Sequence, residues 1–315
     1  MIDYRALLAE LAIPRLAGTA AAEPVRELLT RELAARGLVV MEHRFTGRSL
    51  LHRLARVPLS GVNLIAVRPG PRVVTWLVAH YDSKGQPLSM AARLGAAALV
   101  GVGVVELLGL ALRALLGTVH PGILDAALGG AGAAGAGLLA LNRVTDRSAG
   151  AVDNAAGVVT ALATVDALPP EARVGVIFPD AEEFGLLGAR ALVRERANLL
   201  AETTIVNFDG IDDRGTTIAL MHRTGATVDR VARALEARRA RWLPVVVDGL
   251  ALAAVARECV TIMRGDWGTA RVVHTLRDTA ARLTLDGARR VAGAVAAALF
   301  PGRGPSLRSS CQRPY

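Results

Sequence analysis

The chain has 315 residues, 52% hydrophobic and 21% charged, which suits one large α/β domain or two small ones and excludes global disorder. Its net charge of +9 rests on arginine, Lys84 being the only lysine, and the arginines are scattered among acidic residues on predicted helix faces. They form no basic stripe or reader motif, so no nucleic-acid partner is expected. Two cysteines, Cys259 and Cys311, exclude a disulfide framework or a cysteine-rich metal site and fit a reducing cytoplasm.

The start, Met1-Ile2-Asp3-Tyr4, lacks the basic and apolar segments of a signal peptide. Residues 4–37 read as helical with a break at Pro14; from Glu23 the pattern resumes with Leu28, Leu29 and Leu33 on one face, and Gly37 fits a stop. Leu38–Phe45, Val62–Val67 and Val73–Ala79 predict strands, as do Val174–Phe178, Thr204–Phe208, Thr217–Met221 and Cys259–Met263. Helices are expected over Asn154–Leu168, Leu186–Arg196, Thr227–Arg241 and Leu285–Leu299. Aromatics are only 3%, so Ala, Val and Leu must build the core. Alternating strands and helices argue for a three-layer α/β sandwich.

One segment departs from that pattern. Leu94–Leu112 carries a single charge, Glu106, and Pro121–Leu141 carries only Asp125. Each run is long enough to cross a bilayer core of ~30 Å, and the linker Thr118–Pro121 is turn-like. We expect an inserted apolar hairpin at 90–142 that crosses the membrane and meets lipid through 94–141. Residues 1–89 and 143–301 then form one discontinuous domain, and 302–315 a flexible basic tail. Lys84, Arg93, Arg143 and Arg147 flank the hairpin and place the larger domain in the cytoplasm. Arg113 near the outer end, the mid-span Glu106 and the Ala/Gly-rich second run with its Asp125 oppose insertion. The alternative is a soluble cytoplasmic protein in which the insert is a buried helical pair or a lid.

Five stretches carry candidate chemistry. His80-Tyr81-Asp82 follows an apolar strand, at the sheet edge where ligands gather in open α/β folds; alone it reads more readily as a hydrogen-bonded surface histidine. Asp153-Asn154 opens a helix, where either residue could be an N-cap. Glu182-Glu183 follows a strand end, and two adjacent buried acids need a metal or a cation unless they serve the helix dipole. Asp209 ends another strand, and His274 opens His-Thr-Leu-Arg-Asp-Thr. Two imidazoles and three carboxylates on separate strand ends suit two zinc ions sharing one carboxylate.

In this order the motifs H-Y-D-S, D-N-A-x-G, E-E-x-G-L-x-G, N-x-D-G and H-T-x-x-D-T resemble the bacterial and vacuolar zinc-aminopeptidase family. These are co-catalytic di-zinc exopeptidases of the bacterial leucyl aminopeptidase and aminopeptidase Y type, with glutamate carboxypeptidases and glutaminyl cyclases among their relatives. The likeness runs from Ile13-Pro14-Arg15 to the last long helix, apart from the apolar insert. It implies an α/β/α sandwich on a mixed sheet, a phosphorylase/hydrolase-like zinc exopeptidase fold, with peptides as substrates. It also implies two Zn2+ ions: one held by His80 and Asp209, one by Glu183 and His274, with Asp153 bridging them. Glu182 would be the general base and Asp82 would orient His80. The residue matching Asp153 precedes a cis peptide bond in that family.

Two departures stand out. No tyrosine lies between Asp209 and His274 to stabilise an oxyanion, which leaves Arg264, His222 or zinc for that role. The family's Ser-Asp-His is Val247-Asp248-Gly249 here, so only Asp248 remains. Arg264 and Trp267 are candidates for a substrate pocket; His43, His52, His120 and His222 match no motif. A glutaminyl-cyclase-like transferase, a carboxypeptidase and a non-enzymatic binding relative are the alternatives. No arginine clamp for a substrate carboxylate can be assigned from sequence.

Overall fold

The computed structural model describes residues 3–49, 58–118 and 120–301. His52, Cys311 and the expected tail at 302–315 therefore lie outside the described residues. The strands are β1 (Val39–Gly47), β2 (Leu59–Val67), β3 (Thr75–Val78), β4 (Val174–Phe178), β5 (Thr204–Ile211), β6 (Thr216–Arg223), β7 (Arg238–Ala240) and β8 (Glu258–Gly265). They form one mixed sheet in the order β1-β2-β4-β3-β5-β8-β6-β7. The centre is parallel: β3 pairs with β4 on one side and β5 on the other, and β5 pairs with β8. Antiparallel pairs β1–β2, β2–β4 and β6–β8 extend it.

The central strands are apolar on both faces, as buried parallel strands must be. Alternation then assigns each residue to a layer. Leu77, Val176, Phe178, Val206 and Phe208 face one core, shared with helices α1 (Tyr4–Leu11), α2 (Ala22–Ala35), α5 (Ala156–Ala167), α7 (Ala226–Ala234) and α8 (Asp286–Leu299). Trp76, Val78, Ile177 and Ile205 face the other, covered by α6 (Leu187–Glu195) and the short helix Asp248–Leu252. This is the expected three-layer α/β sandwich. Only Gly fits at 175, where a Cβ would stand 2.4 Å from the Trp76 ring.

The expected helix over Thr227–Arg241 needs correction. α7 stops at Ala234, the chain turns, and Arg238–Ala240 becomes the edge strand β7, parallel to β6. The apolar series Val228, Val231, Ala232 runs out after Leu235, so nothing remains to hold a helix on the core. An edge strand tolerates arginines at 238 and 239, because charge there blocks unwanted pairing. The helix expected from Asn154 begins regular winding only at Ala156, after an irregular turn at Ala151–Ala155.

The insert forms two helices, α3 (Met90–Leu115) and α4 (Ile123–Leu141). They touch along glycines: a Cβ on Gly103 would lie 2.7 Å from Gly132 Cα. Both are long and apolar enough to cross a membrane, and only 11% of each apolar window is buried within the chain. Within this chain the helical pair is therefore not buried. Arg113 pairs with Glu106 at 2.9 Å and with Asp125, so the three charges that oppose insertion compensate one another. At the base, Gly85 and Thr145 exchange backbone hydrogen bonds of 2.7 and 2.8 Å, and Asn142 accepts from the Leu88 amide at 2.9 Å. The insert thus leaves the domain and re-enters it at one place.

Candidate metal centre

In an open α/β sheet, a crevice forms where successive connections leave a strand in opposite directions. Here that strand is β3, flanked by β4 and β5, and the site lies at the carboxyl ends of these three strands. His80 and Asp82 follow β3, Glu182 and Glu183 follow β4, and Asp209 lies near the end of β5. Asp153 comes from the irregular turn before α5, and His274 from the loop after the one-turn helix Trp267–Ala270.

Asp82 is fully buried. Its backbone carbonyl lies 3.2 Å and its carboxylate 3.4 Å from His80 Nδ1, and its two carboxylate oxygens accept from the amides of Glu182 (3.1 Å) and Glu183 (3.3 Å). One carboxylate thereby fixes an imidazole and the turn that presents both glutamates. Asp278 does the same for the other loop, accepting from the amides of Val152 (2.7 Å) and Asp153 (3.2 Å). The Asp153–Asn154 peptide is cis, as the resemblance implies. The Asn154 side chain donates to Phe208 O at 2.9 Å and accepts from Gly210 N at 3.3 Å, tying the turn to the strand that carries Asp209. Gly157 is needed because a Cβ there would sit 2.0 Å from Asn154 Oδ1, which accounts for the D-N-A-x-G spacing.

The five residues predicted as ligands converge into two groups that share Asp153. His80, Asp153 and Asp209 form one; Asp153, Glu183 and His274 form the other, and within each group the donor atoms lie within 4.8 Å of one another. His80 Nε2 is 3.1 Å from Asp153 Oδ1, and His274 Nε2 is 2.9 Å from Asp153 Oδ2 and 2.8 Å from Glu183 Oε1. His80 Nε2, Asp209 Oδ2, Glu183 Oε1 and His274 Nε2 are buried without a hydrogen-bond partner. Buried polar atoms are nearly always satisfied, so four converging orphans of N and O type fit a metal ion, and zinc takes this donor set.

Glu182 belongs to neither group. Burial, helped by the charges of Glu183, Asp209 and Asp248, pushes its carboxyl well above the ordinary range. Burial also pushes Glu183 upward, but His274 and Lys84 outweigh it and hold that carboxyl at about 2. Glu182, Glu183, Asp209 and His274 border a cavity of about 370 Å³ whose other walls are largely apolar, from Leu94 and the Leu243–Val247 loop among others. Arg264 and Trp267, the predicted pocket residues, also line it. The Arg264 guanidinium is tied to Thr217 Oγ1 (3.1 Å) and Asp213 O (3.3 Å). A wider cleft of about 590 Å³, bordered by Arg26, Arg44 and Asp180, touches none of the five residues.

His222, the other oxyanion candidate, must be withdrawn. It does not border the cavity; its Nε2 lies 2.9 Å from Thr261 Oγ1, and burial lowers its pKa to about 4. Asp248 is fully buried, with both carboxylate oxygens unpartnered, and burial raises it to about 8. Sequence reading assigned no role at this site to three further cations. Buried Arg15 donates to the carbonyls of Ile13, Tyr81, Ala149 and Gly150 at 2.5–3.0 Å, clamping the His80 and Asp153 loops together. Lys84 Nζ is 2.6 Å from Glu183 Oε2. Arg93, in the first turn of α3, contacts His274 Nδ1 and Gln86. The adjacency of Lys84 to the H-Y-D-S motif was the only available sign.

Among solved structures, the fold is similar to that of a zinc aminopeptidase from Bacillus subtilis, with TM-score 0.61, 13% identity and coverage of 95% of this chain and 94% of that one. It is also similar to a Zn-dependent exopeptidase from Parabacteroides distasonis, with TM-score 0.64, 16% identity and coverage of 94% and 96%. A glutaminyl cyclase from Bacteroides thetaiotaomicron, bound to N-acetylhistamine, gives TM-score 0.63 at 16% identity over 96% and 98%. Comparison with curated proteins finds no match. The sequence profile described as peptidase family M28 matches residues 63–299, which include all five candidate ligands and Glu182; the chain belongs to peptidase family M28.

Proposed function

We propose that the chain is a membrane-anchored aminopeptidase working with two zinc ions. The observation that carries this reading is the pair of donor groups sharing Asp153, with the buried Glu182 beside them and outside both. His80 and Asp209 would hold one ion, Glu183 and His274 the other, and Asp153 would bridge. When bound, zinc supplies Lewis acidity that activates water and polarises a carbonyl. Glu182, buried beside both donor groups and outside them, accepts a proton from the attacking water and returns it to the leaving amine. Asp82 keeps the His80 ring oriented and positions the Glu182 amide. The apolar cavity walls exclude water and take an apolar side chain.

Helix lengths support anchoring: at 1.5 Å per residue α3 extends about 39 Å and α4 about 28 Å, against a bilayer core of ~30 Å. Lys84, Arg93, Arg143 and Arg147 at the base support a cytoplasmic orientation of the catalytic domain. The site then opens beside the bilayer, because Met90 and Leu94 of α3 line its cavity. A glutaminyl-cyclase-like transferase is the second reading, favoured by the fold shared with solved cyclases.

The test is a screen of purified protein against short peptides with free or acetylated N-termini, with and without a chelator. Chelator-sensitive release of the first residue from free peptides only is expected. Cyclisation of N-terminal glutamine without hydrolysis would favour the second reading, and equal cleavage of blocked peptides would refute aminopeptidase action.

A further inference from the structure

The two ends of the site carry opposite surroundings. At the His80 end, Asp209 and Asp248 feel carboxylates and imidazoles. At the His274 end stand two cations. Lys84 Nζ is 2.6 Å from Glu183 Oε2, and Arg93 lies against His274 Nδ1. Both line a second cavity of about 320 Å³ that shares Glu182, Glu183 and His274 with the first. Arg93 Nε is buried without a hydrogen-bond partner, and the Lys84 side chain is only 12% exposed. Burying a cation is costly unless an anion compensates it. Glu183, beside Lys84, and Asp153, which together with Glu183 offsets the charge of Arg93, play that part here, and both are residues assigned to a metal. Once they are committed to it, both cations face the cavity with spare donors.

Resting on the peptidase reading above, we propose that Lys84 and Arg93 form a carboxylate-binding subsite, so that preferred substrates are short peptides bearing a carboxylate near the scissile bond. A planar guanidinium on a helix turn beside an ammonium with three donors is well suited to gripping a carboxylate. That carboxylate is either the C-terminus of a dipeptide or an acidic side chain on the second residue. Because Arg93 belongs to α3, the inserted hairpin would supply a specificity residue as well as an anchor.

The test uses full-length protein in mild detergent with zinc added. Two pairs are compared: alanyl-alanine with its amide, and alanyl-glutamate amide with alanyl-glutamine amide. The acid of at least one pair should show about tenfold higher kcat/KM, the scale of one hydrogen bond to a charged group, expressed mainly in KM. Preference in the first pair identifies the terminal carboxylate, and in the second the side chain. Arg93→Gln and Lys84→Met should each shrink the ratio, with folding checked by circular dichroism. Calorimetric binding of a reduced-bond alanyl-alanine analogue and its amide gives a readout independent of turnover, and the acid should lose its advantage in the variants. Equal handling of acid and amide by the wild type in rates and binding overturns the subsite, as does a preference that survives in both variants. If the wild type cleaves none of the four peptides, the peptidase reading fails, and the binding comparison alone decides the subsite.

Discussion

Glu182 and Glu183 are chain neighbours that differ in what faces them. Glu183 Oε1 points at His274 Nε2, 2.8 Å away, whereas Glu182 lies in neither donor group. Glu182→Ala should therefore keep nearly normal zinc while turnover drops by roughly 10²–10⁴, and Glu183→Ala should lose metal. Zinc analysis beside rate measurement checks this; the reverse pattern would exchange the two roles. The histidines give a pH prediction. Burial pushes both imidazoles down, but Glu182, Asp153 and Asp82 hold His80 well above its ordinary 6.5, and Glu183 and Asp153 raise His274. In the metal-free chain these contacts stabilise the fold fully below pH 6.5 and less as pH rises through the raised values. Zinc must expel those protons, so its affinity should climb with pH through neutrality, and calorimetry in buffers of different ionisation heat should register proton release. Binding without proton release at neutral pH would contradict this. The ligand residues were legible because each sits in a short motif at a strand end. Arg15 and Arg93 were not, because nothing local marks a cation whose partner lies 66 or 181 residues away, and Lys84, 99 residues from its partner, had only its place beside the H-Y-D-S motif.

Among the elements, α3 and α4 carry the most testable claim. Leu107, Leu108, Leu112, Leu115, Ile123 and Leu124 all face outward, an apolar surface that water does not tolerate. Expressing cells fractionated with a carbonate wash should retain the intact chain in the membrane pellet; recovery in the soluble fraction would make the hairpin an apolar lid. Its existence was readable from length and composition. The compensation of Arg113 by Glu106 and Asp125 was not, since it needs α4 to fold back on α3. β7 was missed for a related reason. Three residues with two arginines carry no strand signal, and the parallel pairing with β6 defines them.

At the scale of the molecule, the identity of every strand but β7 was legible, but strand order was not. Parallel neighbours are joined by crossovers, so β3 lies between β4 and β5 although 95 residues separate Val78 from Val174. That order creates the crevice, and the crevice gathers residues from four other parts of the chain onto Asp153. The central claim is that Asp153 joins two metal positions. It is tested most directly by measuring zinc per chain in purified wild type and Asp153→Ala. The account predicts about two equivalents in the wild type, as in co-catalytic sites, and loss of most of both in the variant. Full zinc retention in Asp153→Ala would contradict it.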